Sequence, residues 1–263
     1  VASAPITSRT NPRVKDARRL HQKKHRVTTG LFLAEGEDLV SEALSAAILP
    51  VETFISSDRP PPDGLVARLT RGGPVHSLAD PVMADLSELG HPARVIGVFS
   101  AEALPGLPKS PAVALFLHEM ADPGNVGTVI RAAVALGGSV VRLSRGCADP
   151  FSGKAVRASM GAVFHVPIEI GARLPGIGRR LALTTSAETV IWDADLTQPI
   201  TLVVGAERDG LPHDIVSACD GAVSIPQTAH ADSLNAASAA TIALYEIARQ
   251  RAIHTESVSS SSG

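Results

Sequence analysis

Aromatic side chains are only 3% of this 263-residue chain: six Phe, one Trp and one Tyr. That argues against single-strand binding through rows of stacked rings, which needs several such residues along one surface. Cysteine is scarcer still. Cys147 and Cys219 are too few for a disulfide framework, and their separation fits no zinc spacing. Both are therefore expected to be reduced, buried and inert, and no metal is expected. No apolar run is long enough to cross a bilayer, and the first residues lack the charged-then-apolar layout of a signal, so the chain reads as cytoplasmic. Neither G-x-G-x-x-G nor G-x-x-x-x-G-K-[ST] occurs, which weakens the dinucleotide and P-loop readings.

What is present is an ordinary globular composition, 44% apolar and 19% charged. The net charge of −2 gives no hint of a polyanionic partner, but its distribution does. Between Arg9 and Arg26 lie Arg13, Lys15, Arg18, Arg19, Lys23 and Lys24, opposed within the segment only by Asp16. A patch this concentrated creates a local positive field that the whole-chain charge conceals. The plainer account is a solvated helix face; the near-uniform sign favours phosphate contact through Arg9, Arg13, Arg18, Lys23, Lys24 and Arg26.

The pattern along the chain predicts two α/β regions. Residues 11–25 form a basic helix with Val14, Ala17 and Leu20 on one side. Leu31–Ala34, Phe54–Ser56 and Arg94–Phe99 read as strands, with a helix opening at Glu35–Asp38. Pro60-Pro61-Pro62 breaks the pattern between elements. Residues 1–100 make the first domain. A Pro- and Gly-containing linker, 101–111, separates it from a second domain at 112–253, and a Ser-rich tail from 254 to 263 reads as disordered. In the second domain six apolar runs (Ala112–Leu117, Val140–Leu143, Val166–Ile170, Leu181–Thr184, Ile200–Val204, Ala222–Ile225) alternate with helical stretches. Such alternation implies a mostly parallel sheet covered on both faces. The last helix should start near Ser233 and bury Leu234, Ala237, Thr241, Leu244, Tyr245 and Ala248.

Three short segments carry the chemistry. Asp122-Pro-Gly-Asn125-Val-Gly127-Thr-Val-Ile-Arg131 joins a strand end to a helix, with turn residues that suit a helix start. The unpaired N–H groups there would make an anion site, and Arg131 points away from the apolar stripe Val126, Val129, Ile130 and Ala133. An ordinary turn with a surface arginine is an equal account at this point. Val203-Val-Gly205-Ala-Glu207-Arg-Asp-Gly210-Leu211 follows an apolar strand, and its glycines let the backbone lie close to a ligand. Glu207 could equally be a loop residue bonding backbone amides. Ile225-Pro226 is followed, after a polar loop from Gln227 to Asp232, by Ser233-Leu234-Asn235. There Ser233 or Asp232 is a candidate helix cap and Asn235 stands in the first turn. A triad of His230, Asp232 and Ser233 is rejected, because loop neighbours do not define triad geometry.

In this order and spacing the three segments resemble the motifs of the SpoU (TrmH-like) branch of the SPOUT RNA methyltransferases. Arg157-Ala-Ser159-Met-Gly161-Ala162 resembles a further family segment. Asn11-Pro-Arg13, Leu20, Lys24, Arg26 and Phe32-Leu-Ala-Glu35-Gly36 resemble the L30e-like RNA-recognition domain of the ribosomal RNA enzymes. The resemblance implies a trefoil knot, a homodimer, S-adenosylmethionine as cofactor and methyl transfer to a ribose 2′-hydroxyl, with 23S ribosomal RNA as substrate. By position it implies cofactor contacts from Thr185, Gly205, Ala206, Ile225 and Leu234. It implies a catalytic role for Arg131, supported by Asn125, Glu207, Ser233 and Asn235, with Arg157 toward RNA. Gln227 replaces the family's frequent methionine, and Ala236-Ala237 a bulkier pair. The rival readings are a non-catalytic RNA-binding or ribosome-assembly protein of the same fold and a nucleotide-dependent enzyme using the glycine loops.

Overall fold

The computed structural model describes residues 4–228 and 233–260, with side chains followed to Thr255. It divides into two compact units. The first comprises Val1–Leu104 with Asp149–His165, the second Pro105–Ala148 with Val166–Gly263. The sequence placed 149–165 inside the second domain; here it packs with the first.

The first unit is built on a four-stranded sheet of order β1-β4-β2-β3: Leu31–Glu35 (β1), Glu52–Ser56 (β2), Val75–Leu78 (β3) and Val95–Ser100 (β4). β4 pairs antiparallel with β1 and β2, and β2 pairs parallel with β3. Helices α1 (Pro12–Arg19), α2 (Lys23–Thr29), α3 (Glu37–Ser45), α4 (Asp63–Leu69) and α5 (Asp80–Leu86) complete this part of the chain. Phe32, Phe99, Phe151 and Phe164 form one aromatic cluster, with ring centroids 4.8 Å apart for Phe32–Phe151 and 4.9 Å for Phe99–Phe164. Burying aromatic rings of this size supplies much of a small core's stability, which accounts for the capture of 149–165.

The basic helix expected over 11–25 is two helices. Asn11 caps α1, its side chain accepting from Arg13 N, and the helix closes at Leu20. Arg26 explains the break. Its Nη1 donates to the carbonyls of Leu20 (2.6 Å) and His21 (2.8 Å), which a continuing helix would have used itself.

The second unit carries a six-stranded sheet of order β10-β8-β9-β5-β6-β7, every described pairing parallel. The strands are Val113–Leu117 (β5), Val140–Ser144 (β6), Ile168–Ala172 (β7), Arg179–Leu183 (β8), Ile200–Val204 (β9) and Gly221–Val223 (β10). All residues of β5 and β9 are buried, as strands covered on both faces require. Helices α6 (Pro123–Ala135) and α9 (Ala236–Ser260) pack together, α7 (Gly153–Ala158) belongs to the first unit, and α8 (His213–Ser217) precedes β10.

α9 differs from expectation at both ends. It begins at Ala236 rather than Ser233, and it runs through Ser260, so the expected disordered tail is helical as far as it is described. Residues 261–263 lie outside the described residues. Its buried stripe is Ala237, Ala240, Ala243, Leu244 and Ile247, while Tyr245, expected inside, is 60% exposed. No helix among the described residues is long and apolar enough to cross a membrane.

Candidate active site

The β5–α6 turn begins with Asp122, whose Oδ1 accepts from the N–H groups of Gly124 (2.6 Å) and Asn125 (3.1 Å). A carboxylate there satisfies two orphan donors and complements the helix dipole. The anion site expected at this N-terminus is thus filled by the chain's own Asp122. Asn125, held in the first turn, donates from Nδ2 to Oε1 of Glu207 at 2.5 Å.

Glu207 stands in a loop at the carboxyl end of β9. Ala206 and Gly210 exchange two backbone hydrogen bonds of 3.1 Å, which close the loop tightly, and Gly210 has a φ of +64°. A Cβ on Gly205 would stand 2.2 Å from the Gly210 carbonyl oxygen, so only glycine fits there. Glu207 is therefore presented on a short rigid loop.

The third segment joins through Asn235. Its Oδ1 accepts from Ala237 N (3.0 Å) and Ser238 N (3.2 Å), making Asn235 the N-cap of α9. Ser233, the expected cap, makes no such bond, and Asp232 and His230 lie outside the described residues. With Oδ1 committed to backbone donors, the Asn235 amide can only donate onward, and Nδ2 does so to Asn125 Oδ1 at 3.1 Å. That bond in turn fixes the Asn125 amide so that its Nδ2 meets Glu207. The result is a one-way chain, Asn235 to Asn125 to Glu207, whose polarity is set by the start of α9.

A cavity of about 350 Å³ lies beside this chain. Thr185, Gly205, Ala206, Ile225 and Leu234, the five expected cofactor contacts, all line it, as do Glu207 and Ser233. Leu183, Val204, Leu211 and Val216 give it apolar walls. Gln227 also lines it, and its Oε1 is buried without a hydrogen-bond partner among the described residues. A buried acceptor left unpaired is costly, so this atom suits a ligand carrying N–H groups. S-adenosylmethionine has such groups on its adenine and amino acid ends, and the flat faces of its adenine suit the leucine and valine walls. The residues fit the cofactor.

Arg131 is exposed on α6, does not line this cavity, and its side chain has no partner among the described residues. Arg157, in α7 of the first unit, faces Glu88 at 4.0 Å. Cys147 is buried, its thiol donating to the Leu117 carbonyl, and burial pushes its pKa up, as an inert thiol requires. Cys219 is only partly buried; its pKa is also raised, chiefly by burial.

The expected RNA-contacting cations need a correction. Arg26 is 6% exposed; its Nε and Nη2 bind the Asp149 carboxylate at 2.8 and 2.7 Å, and Nη1 holds two carbonyls. It has nothing left for a phosphate. Arg13 pairs with Glu52 (2.9 Å) and Arg18 with Asp85 (2.5 Å), both acids distant in sequence, while Arg19 pairs with Asp16. Arg9, Lys15, Lys23 and Lys24 are exposed with no partner among the described residues. Arg26 is thus withdrawn from the patch, while Arg13 and Arg18 keep side chains 56% and 42% exposed despite their surface ion pairs.

Motif loops converging at the carboxyl ends of a parallel sheet, around a cavity with this lining, define a cofactor-dependent α/β enzyme. Comparison with known proteins makes the class specific. Residues 112–245 match the SpoU rRNA Methylase family, and residues 11–97 match the MRM3-like substrate binding domain. The chain is 32% identical to the 23S rRNA (guanosine(2553)-2′-O)-methyltransferase RlmP of Bacillus subtilis, covering 92% of this chain and 98% of the relative. It is also 32% identical to the 23S rRNA (uridine(2479)-2′-O)-methyltransferase of Streptomyces viridochromogenes, over 95% and 93%. Among solved structures, the AdoMet-bound rRNA methyltransferase from Sinorhizobium meliloti superposes with a TM-score of 0.82 at 34% identity, covering 94% of this chain and 97% of that one. The chain belongs to the SpoU rRNA methylase family and has its knotted α/β fold. It is an S-adenosylmethionine-dependent RNA 2′-O-methyltransferase.

Proposed function

We propose that this protein methylates a ribose 2′-hydroxyl of 23S ribosomal RNA in the cytoplasm, acting as a homodimer without a metal. The observation that carries the reading is the convergence of Thr185, Gly205, Ala206, Ile225 and Leu234 on one cavity that Glu207 also lines. The relatives named above act on different bases, so family membership leaves the modified nucleotide open. The first unit, Val1–Leu104 with Asp149–His165, serves as the RNA-binding domain, with Arg9, Lys23 and Lys24 contacting phosphate, and the second, Pro105–Ala148 with Val166–Gly263, as the methyltransferase domain.

Bound in the cavity, S-adenosylmethionine supplies a methyl group already activated on a sulfonium, so the protein's task is chiefly positioning. Glu207 is suited to hold the ribose hydroxyl. Asn125 occupies one of its oxygens, leaving Oε2 to accept a hydrogen bond from the ribose 2′-hydroxyl and to take up its proton when that oxygen is methylated. Asn235 and Asn125 keep that carboxylate from turning, and Ser233 stands at the cavity edge to contact the substrate. A guanidinium does not give up its proton in proteins, so Arg131 is assigned to grip an RNA phosphate. Its lack of an internal partner supports this, as does its exposed position beside the apolar Val134 on α6. Ile242 and Tyr245 on α9, 41% and 60% exposed, supply apolar surface for a second copy of the chain.

Incubating the protein with tritiated cofactor and an unmodified 23S transcript tests the reading. Label in ribose-methylated nucleotides supports it, and none would reject it. Arg131→Ala should bind S-adenosylhomocysteine as the parent does and lose turnover; near-normal turnover would remove Arg131 from the mechanism. A non-catalytic RNA-binding protein would transfer no label. A nucleotide-dependent enzyme would be protected thermally by ATP or NAD rather than by S-adenosylhomocysteine.

A further inference from the structure

A second cavity, of about 570 Å³, lies on the other side of the Ala206–Gly210 loop. His118, Glu119, Ala121, Asp209 and Pro212 line it, and Glu207 lines both cavities. The loop is thus a shared wall, and Glu207 is reached from either side. Ala206, Glu207, Arg208, Asp209 and Gly210 line both cavities, and of these Glu207 is the one tied to the Asn125–Asn235 chain. An enzyme that joins two reactants needs this arrangement, with one partner in each cavity and the reacting atoms meeting at the loop common to both.

The lining tells what the second reactant presents. The carboxylates of Glu119 and Asp209 have no partner among the described residues, and Glu207 keeps one oxygen unbonded among them; all of these are acceptors. Nδ1 of His118, buried with no hydrogen-bond partner among the described residues, donates or accepts according to its tautomer. Arg208 is the one cation among the lining residues. So acceptor-rich a surface repels phosphate and calls for a ligand rich in N–H donors. A cation would meet part of that demand. Yet among the described residues only His21, Glu35 and Glu88, in the first unit, bring three ligand atoms close enough to share one ion. The carboxylates here are spread too widely for that, and a flat ligand several ångströms across bridges them better.

Glu119 adds a further pointer. It has a φ of +51°, a conformation that costs a non-glycine residue about 1–2 kcal/mol, and its N–H is anchored to Ser144 Oγ at 3.0 Å. Glycine would adopt this backbone at no such cost, so the strain is held for the sake of the side chain.

We infer that this second cavity seats the base of the target nucleotide and selects guanine, with Glu119 as the main specificity-determining residue. The assignment rests on the methyltransferase reading above and deepens it. Guanine alone of the four bases offers adjacent N1–H and N2–H donors on its Watson–Crick edge, which a carboxylate accepts as a pair. Uracil would turn two carbonyl oxygens toward the same carboxylates. His118 can meet O6 through Nδ1–H. A base held here leaves its ribose at Glu207, with the 2′-oxygen toward the cofactor cavity.

The test uses the full chain, tritiated S-adenosylmethionine and an unmodified 23S transcript, digested after reaction to nucleosides. Label in 2′-O-methylguanosine is expected, and label in any other nucleoside overturns the assignment. Glu119→Gly relieves the backbone strain, so it folds, and Glu119→Gln keeps the side chain's shape without its charge. Both are expected to raise KM for RNA about tenfold or more while affinity for S-adenosylhomocysteine stays unchanged. An unchanged KM in both variants overturns the role of Glu119. If no label enters RNA at all, the underlying methyl transfer fails, and the base pocket with it. Label in another base leaves the methyltransferase standing and rejects only the pocket.

Discussion

The basic segment of the first unit and the loop cluster of the second treat their polar groups in opposite ways. In the first, arginines find acids brought in from elsewhere in the chain: Arg13 meets Glu52, Arg18 meets Asp85, and Arg26 is sealed against Asp149. In the second, polar side chains bond one another in a fixed direction and leave capacity over, at Glu207 Oε2, Gln227 Oε1 and His118 Nδ1. A satisfied charge holds a fold together, whereas a positioned and unsatisfied one waits for a ligand. Charge density alone does not tell the two apart.

The largest expected effect comes from breaking the satisfied side. Arg26→Ala leaves Asp149 buried without its partner and uncaps two carbonyls, so unfolding free energy in urea should fall by about 3–5 kcal/mol. A loss under 1 kcal/mol would mean that Arg26 is not a structural residue. Next, on the unsatisfied side, Glu207→Gln should lower single-turnover methylation roughly 100-fold or more with cofactor affinity retained. Asn125→Ala should follow it, because the carboxylate it steers can then rotate; parent-like rates in Asn125→Ala would show that the directed amide chain is dispensable.

A smaller effect separates the spent cations from the spare ones. Lys23→Ala with Lys24→Ala should change stability by no more than about 0.5 kcal/mol. The same pair should weaken RNA binding and make its salt dependence shallower by about one to two counterions. The reverse pattern, lost stability with unchanged RNA affinity, would return these lysines to the structural class.

The smallest effect concerns Asp220. Its carboxylate accepts from the side chain and backbone of Arg180, which hold it well below the usual carboxylate range. A carboxylate depressed in the folded state stabilises the fold above its unfolded pKa of about 3.9, and that contribution is lost as pH falls toward the folded value. Asp220→Asn should therefore be slightly less stable than the parent at pH 7, and the gap should close in strong acid. A gap that stays constant with pH would show that the pair contributes nothing through ionisation.

Much of the second unit was legible beforehand. Its six strands are apolar runs because a parallel sheet is covered on both faces, and each observed strand overlaps an expected one. β3 of the first unit escaped notice because it lies at an edge of its sheet, and three of its four residues are only partly buried. Asn235 was placed inside the first turn rather than at the cap, since a serine two residues earlier is an equally good cap by type. The basic helix was drawn too long because nothing local marks Arg26 as the group that closes it.

The sequence by itself determined most of the strands, the two glycine-marked loops, the Pro226–Asn235 segment and the family to which they belong, because apolar periodicity and tight-turn chemistry are written in neighbouring residues. The tertiary structure decided which polar groups are spent and which are available. Glu207 meets Asn125 across 82 positions, Asn125 meets Asn235 across 110, and Arg26 meets Asp149 across 123. Contacts over such separations arise only when the sheets have formed and the loops have nowhere else to go.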